Sequence, residues 1–108
     1  MTEGIVQLND TNFDSEVINS EVPVLVDFFA PWCGPCIANM NELEKLLEEK
    51  KDFLKIGKLN IDESRDITMK CRVSNIPAML LFKEGKIKQR LIAMMPKNKI
   101  LSEISKYL

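Results

Sequence analysis

Val22-Pro23-Val24-Leu25-Val26-Asp27-Phe28-Phe29 runs into Ala30-Pro31-Trp32 and then into Cys33-Gly34-Pro35-Cys36. The first eight residues are nearly continuous apolar and rich in Val, which suits a strand covered on both faces, hence a central parallel strand. Ala30-Pro31-Trp32 breaks it. A helix is predicted from Cys33 or Gly34 to about Lys50, with Met40, Leu43 and Leu47 as its apolar stripe and Leu46 beside it. Pro35 belongs in the first turn, where a missing N–H has no intrahelical partner to lose. A C-x-x-C pair therefore sits at a strand-to-helix junction.

Outward from this junction the chain alternates. Gly4 to Leu8 reads as a strand, and Thr11 offers an N-cap oxygen for a helix to about Asn19, with Phe13, Val17 and Ile18 at helical spacing. Phe53 to Asn60 gives another strand, and Ser64 caps a short helix through about Cys71. Met79–Lys83 and Lys86–Ala93 flank Glu84-Gly85, a hairpin signal. Pro96 then suits the first turn of a final helix whose face is Ile100, Leu101, Ile104 and Leu108. The order β-α-β-α-β-α-β-β-α predicts an α/β fold with helices on both faces of a sheet that is parallel until its closing hairpin.

At 108 residues and 12.4 kDa, with neither repeats nor a linker, one domain spanning residues 1–108 is expected. Apolar residues at 45% and charged residues at 29% exclude a disordered or collagenous chain. The longest apolar runs, Val22–Val26 and Ile76–Phe82, fall far short of the roughly 18 residues a membrane span needs. Charge is unevenly placed: residues 1–44 carry eight acids and no base, and the remainder carries fifteen bases against eight acids. No basic n-region precedes an apolar stretch, and the chain begins with Met1, so an export signal is not expected and a cytoplasmic location is. Lys83, Lys86, Lys88 and Arg90 read as charges guarding a sheet edge rather than as a nucleic-acid surface, given a pI near 5.5 and 6% aromatics.

Cys33, Cys36 and Cys71 do not make a disulfide framework. With no His in the chain, zinc would lack its usual second pair of ligands, and a haem link would want His where Ile37 stands, so no metal is expected. A redox dithiol or an inert pair of buried thiols remains. At a helix start, unpaired N–H groups and the macrodipole favour a thiolate, which lowers the pKa of the first cysteine. Cys33 is then expected to be the exposed nucleophile and Cys36 the sheltered thiol that resolves a mixed disulfide.

Val26 to Cys36, with its W-C-G-P-C core at Trp32–Cys36, resembles the active-site signature of the thioredoxin family, and the resemblance covers essentially the whole chain. Ile76-Pro77 resembles the family's cis-proline loop, Lys58-Leu59-Asn60-Ile61-Asp62 its third strand and Leu81-Phe82-Lys83-Glu84-Gly85 its hairpin. The resemblance implies a three-layer α/β/α thioredoxin-like fold on a five-stranded mixed sheet. It implies a monomeric protein-disulfide reductase without a bound cofactor, which acts on disulfide-containing client proteins. A thioredoxin reductase, of a type the sequence leaves open, would re-reduce it. Asp27 becomes the proton acceptor for Cys36 with Lys58 as its neighbour, and a structural ion pair is the alternative. Trp32, Gly34, Pro35, Ile76, Pro77 and Ala93 become the substrate-binding surface.

Several positions depart from the family pattern. Asn41 stands where a Pro usually kinks the dithiol helix, Phe29 replaces a frequent Trp, Ala93 a Gly and Ala78 a Thr. None is expected to touch the exchanging sulfurs, so electron transfer is expected to persist while partner choice and reductase docking shift. An assembly subunit independent of redox and a dedicated donor to one enzyme are the competing readings. Cys71 reads as a plain helix residue or a regulatory thiol, and Met94 and Met95 as core filling or an adaptable contact surface.

Overall fold

The computed structural model describes residues 4–108. Five strands, β1 Val6–Leu8, β2 Val24–Phe29, β3 Lys55–Asn60, β4 Ala78–Lys83 and β5 Lys86–Leu91, form one sheet in the order β1-β3-β2-β4-β5. β1 and β2 run parallel to β3, β4 runs antiparallel to β2, and β5 runs antiparallel to β4. β2 is therefore central but parallel to its neighbour on one side only, because the connection into β4 reverses the chain direction. The helices are α1 Gly34–Lys50, α2 Arg65–Lys70 and α3 Lys97–Ile104, with a π-helical turn at Asp14–Ile18 and a 3₁₀ turn at Ser105–Tyr107.

Strand alternation distributes β2 between two cores. Val24, Val26 and Phe28 face the side where Phe13, Val17 and Ile67 pack, and the Phe13 and Phe82 rings meet edge to face at 5.4 Å. Leu25 faces the other side, against Leu43 and Leu46 of α1 and Ile100 and Ile104 of α3. Asp27 lies two residues on from Leu25 and so projects into this second layer, under α1.

Local chemistry sets the element ends differently from the sequence reading at several points. Thr11 is not a cap. Asn9 Oδ1 accepts the N–H groups of Thr11 and Asn12 at 2.8 and 2.9 Å, and Asn12 Oδ1 accepts that of Asn9, so the asparagines make this corner. Ser64 occupies the N-cap of α2 without a side-chain cap bond; Asp10 Oδ1 reaches across to the N–H of Ile67 instead, at 3.0 Å. Pro96 is the N-cap of α3 rather than its first turn, and Leu108 is exposed beyond the final turn. Val22 and Phe53 fall outside their strands and are exposed.

β5 is an edge strand and carries Lys86, Lys88 and Arg90, the charges expected to guard it. The hairpin turn has Glu84 and Gly85 both at positive φ, 55° and 77°, the pairing that matches the twist of the flanking strands. A Cβ on Gly85 would also lie 3.3 Å from the Ile18 carbonyl oxygen. Gly85→Ala is expected to cost about 1–2 kcal/mol in a denaturant melt; a variant as stable as the parent would contradict this account of the turn.

Candidate functional site

Strand register gathers the functional segments at one end of the sheet. Phe29, the last residue of β2, pairs with Asn60, the last of β3; Phe28 pairs with Ala78, the first of β4; and Met79 pairs with Leu91, the last of β5. The Ala30–Cys33 loop, the turn after Asn60, Ile76-Pro77 and the loop holding Ala93 therefore emerge together. Ile76-Pro77 is a cis peptide bond, and Ile76 packs with Phe29 and Ile61 against Ala30, Cys33 and Cys36.

Cys33 and Cys36 are joined as a disulfide with Cα atoms 5.4 Å apart. Cys33 is the N-cap of α1 in extended backbone, and Cys36 lies inside the first turn, which also holds Pro35. Cys33 thus stands at the open end of a 17-residue helix, without a side-chain cap hydrogen bond. The expected contrast in exposure is absent from the oxidised pair: Cys33 is 6% and Cys36 4% exposed, because each sulfur covers the other and both pack on Ala30. What distinguishes them is backbone position. Cys33 sits outside the helix between exposed Trp32 and Gly34, whereas Cys36 begins its buried stripe. The indole Nε1 of Trp32 donates to Asp62 Oδ2 at 2.9 Å.

That stripe is Cys36, Asn39, Leu43 and Leu46, with Met40 and Leu47 at its margin. α1 continues without interruption through Asn41. The sequence reading does not single out Asn39, although its spacing of three from Cys36 and four from Leu43 places it on the inner face. It is fully buried. Its Nδ2 donates to Asp27 Oδ1 at 3.2 Å, and its Oδ1 accepts the Met95 backbone N–H at 3.1 Å.

Asp27 is fully buried, and its Oδ2 has no hydrogen-bond partner. Burial pushes its carboxyl up from 3.8 to about 7; the Asn39 hydrogen bond and then the Lys58 charge oppose the rise. Lys58 is its register partner on β3, half-buried, with Nζ 5.8 Å from the centre of the Phe29 ring. A cavity of about 230 Å³ is lined by Cys36, Lys58, Phe29, Met40, Asn41 and Glu44 among others, so the second sulfur and the lysine share one space. The link from the dithiol helix to this carboxyl is Asn39, one turn on from Cys36 along α1.

Ala93 is exposed in the loop after β5, between exposed Ile92 and Met94, while Met95 is half-buried against the α1–α3 core. Cys71 lies apart from the dithiol. It is buried in the opposite core, its carbonyl accepts from Arg90 Nη2 at 2.8 Å, and burial pushes its thiol up.

The family model described as Thioredoxin matches residues 4–106. The chain is 43% identical over 101 residues to a chloroplastic M-type thioredoxin of Chlamydomonas reinhardtii, a match that covers 94% of this chain and 72% of that one. It is 36% identical over 104 residues to a thioredoxin of Pyropia yezoensis and 35% over 104 residues to one of Haemophilus influenzae, each match covering 96% of this chain and 97% of the relative.

Proposed function

The chain belongs to the thioredoxin family and is a thiol–disulfide oxidoreductase, and from that premise we propose that it reduces protein disulfides through a division of labour between Cys33 and Cys36. The observation that carries this reading is a disulfide whose first cysteine caps a helix and whose second lies inside that helix.

In the reduced protein the Cys33 thiolate, favoured by the helix start, attacks one sulfur of a substrate disulfide. A Cys33–substrate disulfide forms, and the other substrate sulfur leaves as a thiolate that takes a proton from water. Cys36 then yields its proton to the Asp27 carboxylate, and its sulfur attacks Cys33 Sγ. The Cys33–Cys36 bond forms, the Cys33–substrate bond breaks, and the substrate leaves as its second thiolate. Two electrons have passed from the protein to the substrate. The Asn39 hydrogen bond and then the Lys58 charge temper the effect of burial on Asp27, so that the acid is neither permanently neutral nor permanently charged near pH 7.

Trp32, Gly34, Pro35, Ile76, Pro77 and Ala93 form the surface that receives the substrate, around the convergent loop ends. The two sulfurs hold the electron pair, so the cycle needs no bound cofactor. A thioredoxin reductase restores the dithiol, and disulfide-bearing proteins are the clients. A monomer acting in the cytoplasm is part of the same proposal. Separately, no helix among the described residues is long and apolar enough to cross a membrane.

The isolated chain, supplied with a small dithiol reductant, is expected to accelerate reduction of a generic protein disulfide well beyond the reductant alone. A rate equal to that of the reductant alone would overturn the proposal.

A further inference from the structure

A buried carboxamide between a titrating acid and a backbone N–H is a polar element in an otherwise apolar helix face. Burying it unpaired would be costly, and here both ends are engaged. Its orientation follows from chemistry. The Met95 N–H can only donate, so the oxygen of Asn39 must face it, which turns Nδ2 toward Asp27. Nδ2 can only donate in turn, so it supports the Asp27 oxygen that carries no proton. Oδ1 is occupied in this way, which leaves the unpartnered Oδ2 as the oxygen that takes the proton.

The far end of the link is equally defined. One turn further along α1, Glu42 Oε1 accepts the Lys97 N–H at 2.7 Å. Asn39 and Glu42 thus hold the chain at Met95 and Lys97, the stretch between the exposed Ala93 loop and α3.

We propose that Asn39 is a positioning residue: its carboxamide joins the Asp27 carboxyl to the Met95 backbone, so that the protonation of Asp27 and the placement of the Ala93 loop are coupled. This rests on the reading of Asp27 as the acceptor of the Cys36 proton. Protonating Asp27 weakens the bond it accepts from Asn39, relaxing the carboxamide and with it the Met95 anchor. Proton transfer from Cys36 during resolution would accordingly loosen the loop as the substrate leaves. The titratable groups on the elements around Asp27 are Lys58 on β3 and Cys36 and Glu44 on α1, all lining the same cavity. β4 contributes the uncharged Met79 at the facing register position, and residues 92–95 carry no charge.

The test is an NMR titration of the oxidised protein, following the Asp27 carboxyl carbon and the Met95 amide together. In the parent both are expected to share one midpoint. In Asn39→Leu the Asp27 midpoint should rise by about one pH unit, as expected for loss of a hydrogen bond to a charged group. The Met95 amide should then stop responding and exchange its hydrogen faster. Resolution of a mixed disulfide by reduced Asn39→Leu should be about fivefold slower at pH 7 and converge on the parent above about pH 9, where both acids are ionised. A Met95 amide insensitive to the Asp27 titration in the parent would overturn the proposal and requires no variant. An unchanged Asp27 midpoint in a folded Asn39→Leu would also overturn it. If Asp27→Asn resolves mixed disulfides as fast as the parent, the reading of Asp27 as proton acceptor fails, while a shared midpoint would still establish the link between Asp27 and Met95.

Discussion

Cys33→Ser is expected to reduce disulfides no faster than the uncatalysed background, whereas Cys36→Ser should accumulate one mixed disulfide per chain through Cys33. The two losses differ because the residues act in successive steps. A serine hydroxyl at the N-cap of α1 is not ionised near neutral pH, so the first attack does not occur, whatever the helix end contributes. With Cys36 replaced, the first attack proceeds and the product has no internal thiol to release it. Mass spectrometry of each variant after exposure to a disulfide substrate reads the difference directly. A Cys36→Ser variant that turns over like the parent, or a Cys33→Ser variant that forms the adduct on Cys36, would reverse the assignment.

Asp27→Asn should make the protein more stable and slower. The Asp27 carboxyl ionises near 7 in the folded chain and near 3.8 without burial. The folded state therefore binds the extra proton. Stability is full below the unfolded value and declines as pH rises, until the folded carboxyl is itself ionised above about pH 7. An amide in place of the carboxyl removes that loss, so the variant should gain about 4 kcal/mol at pH 8 and close to nothing at pH 4. Resolution by Cys36 should slow at neutral pH, because its proton has lost an acceptor. Denaturant melts at the two pH values, beside single-turnover rates, measure both effects. A variant less stable than its parent at pH 8, with unchanged rates, would make Asp27 a paired structural acid.

Much of this site is readable from Val22 to Cys36 alone. An apolar strand that breaks at Pro31 and resumes as a helix with Pro35 in its first turn places the cysteines, and the acid inside the strand stands out against its neighbours. The β-hairpin is equally legible from Gly85, which suits the positive φ its turn needs, although Glu84 beside it also takes positive φ against its residue type. The structure adds what depends on distant pairing. Thr11 is a good cap by residue type, but Asn9 and Asn12 satisfy the N–H groups of this corner first. The N–H at Ile67 finds Asp10, 57 residues away in sequence, which local patterning around Ser64 does not reveal.

Asn39 is the instructive omission. Read as an apolar stripe, α1 centres on Met40, Leu43 and Leu47 with Leu46 beside it, and Asn39 is not singled out. The buried stripe runs through Cys36, Asn39, Leu43 and Leu46, with Asn39 donating to the buried Asp27 carboxyl. A buried acid in β2 is itself the signal that a polar partner should be sought on the helix packed above it. The equal burial of Cys33 and Cys36 in the disulfide likewise reflects a redox state, which residue type does not record.

Limiting alkylation of the fully reduced protein, followed by mapping of the adduct, tests the division of labour between the two sulfurs most directly. The helix-capping position of Cys33 predicts that the first equivalent of reagent lands there, with Cys36 modified later and buried Cys71 only on unfolding. First modification at Cys36 would contradict it.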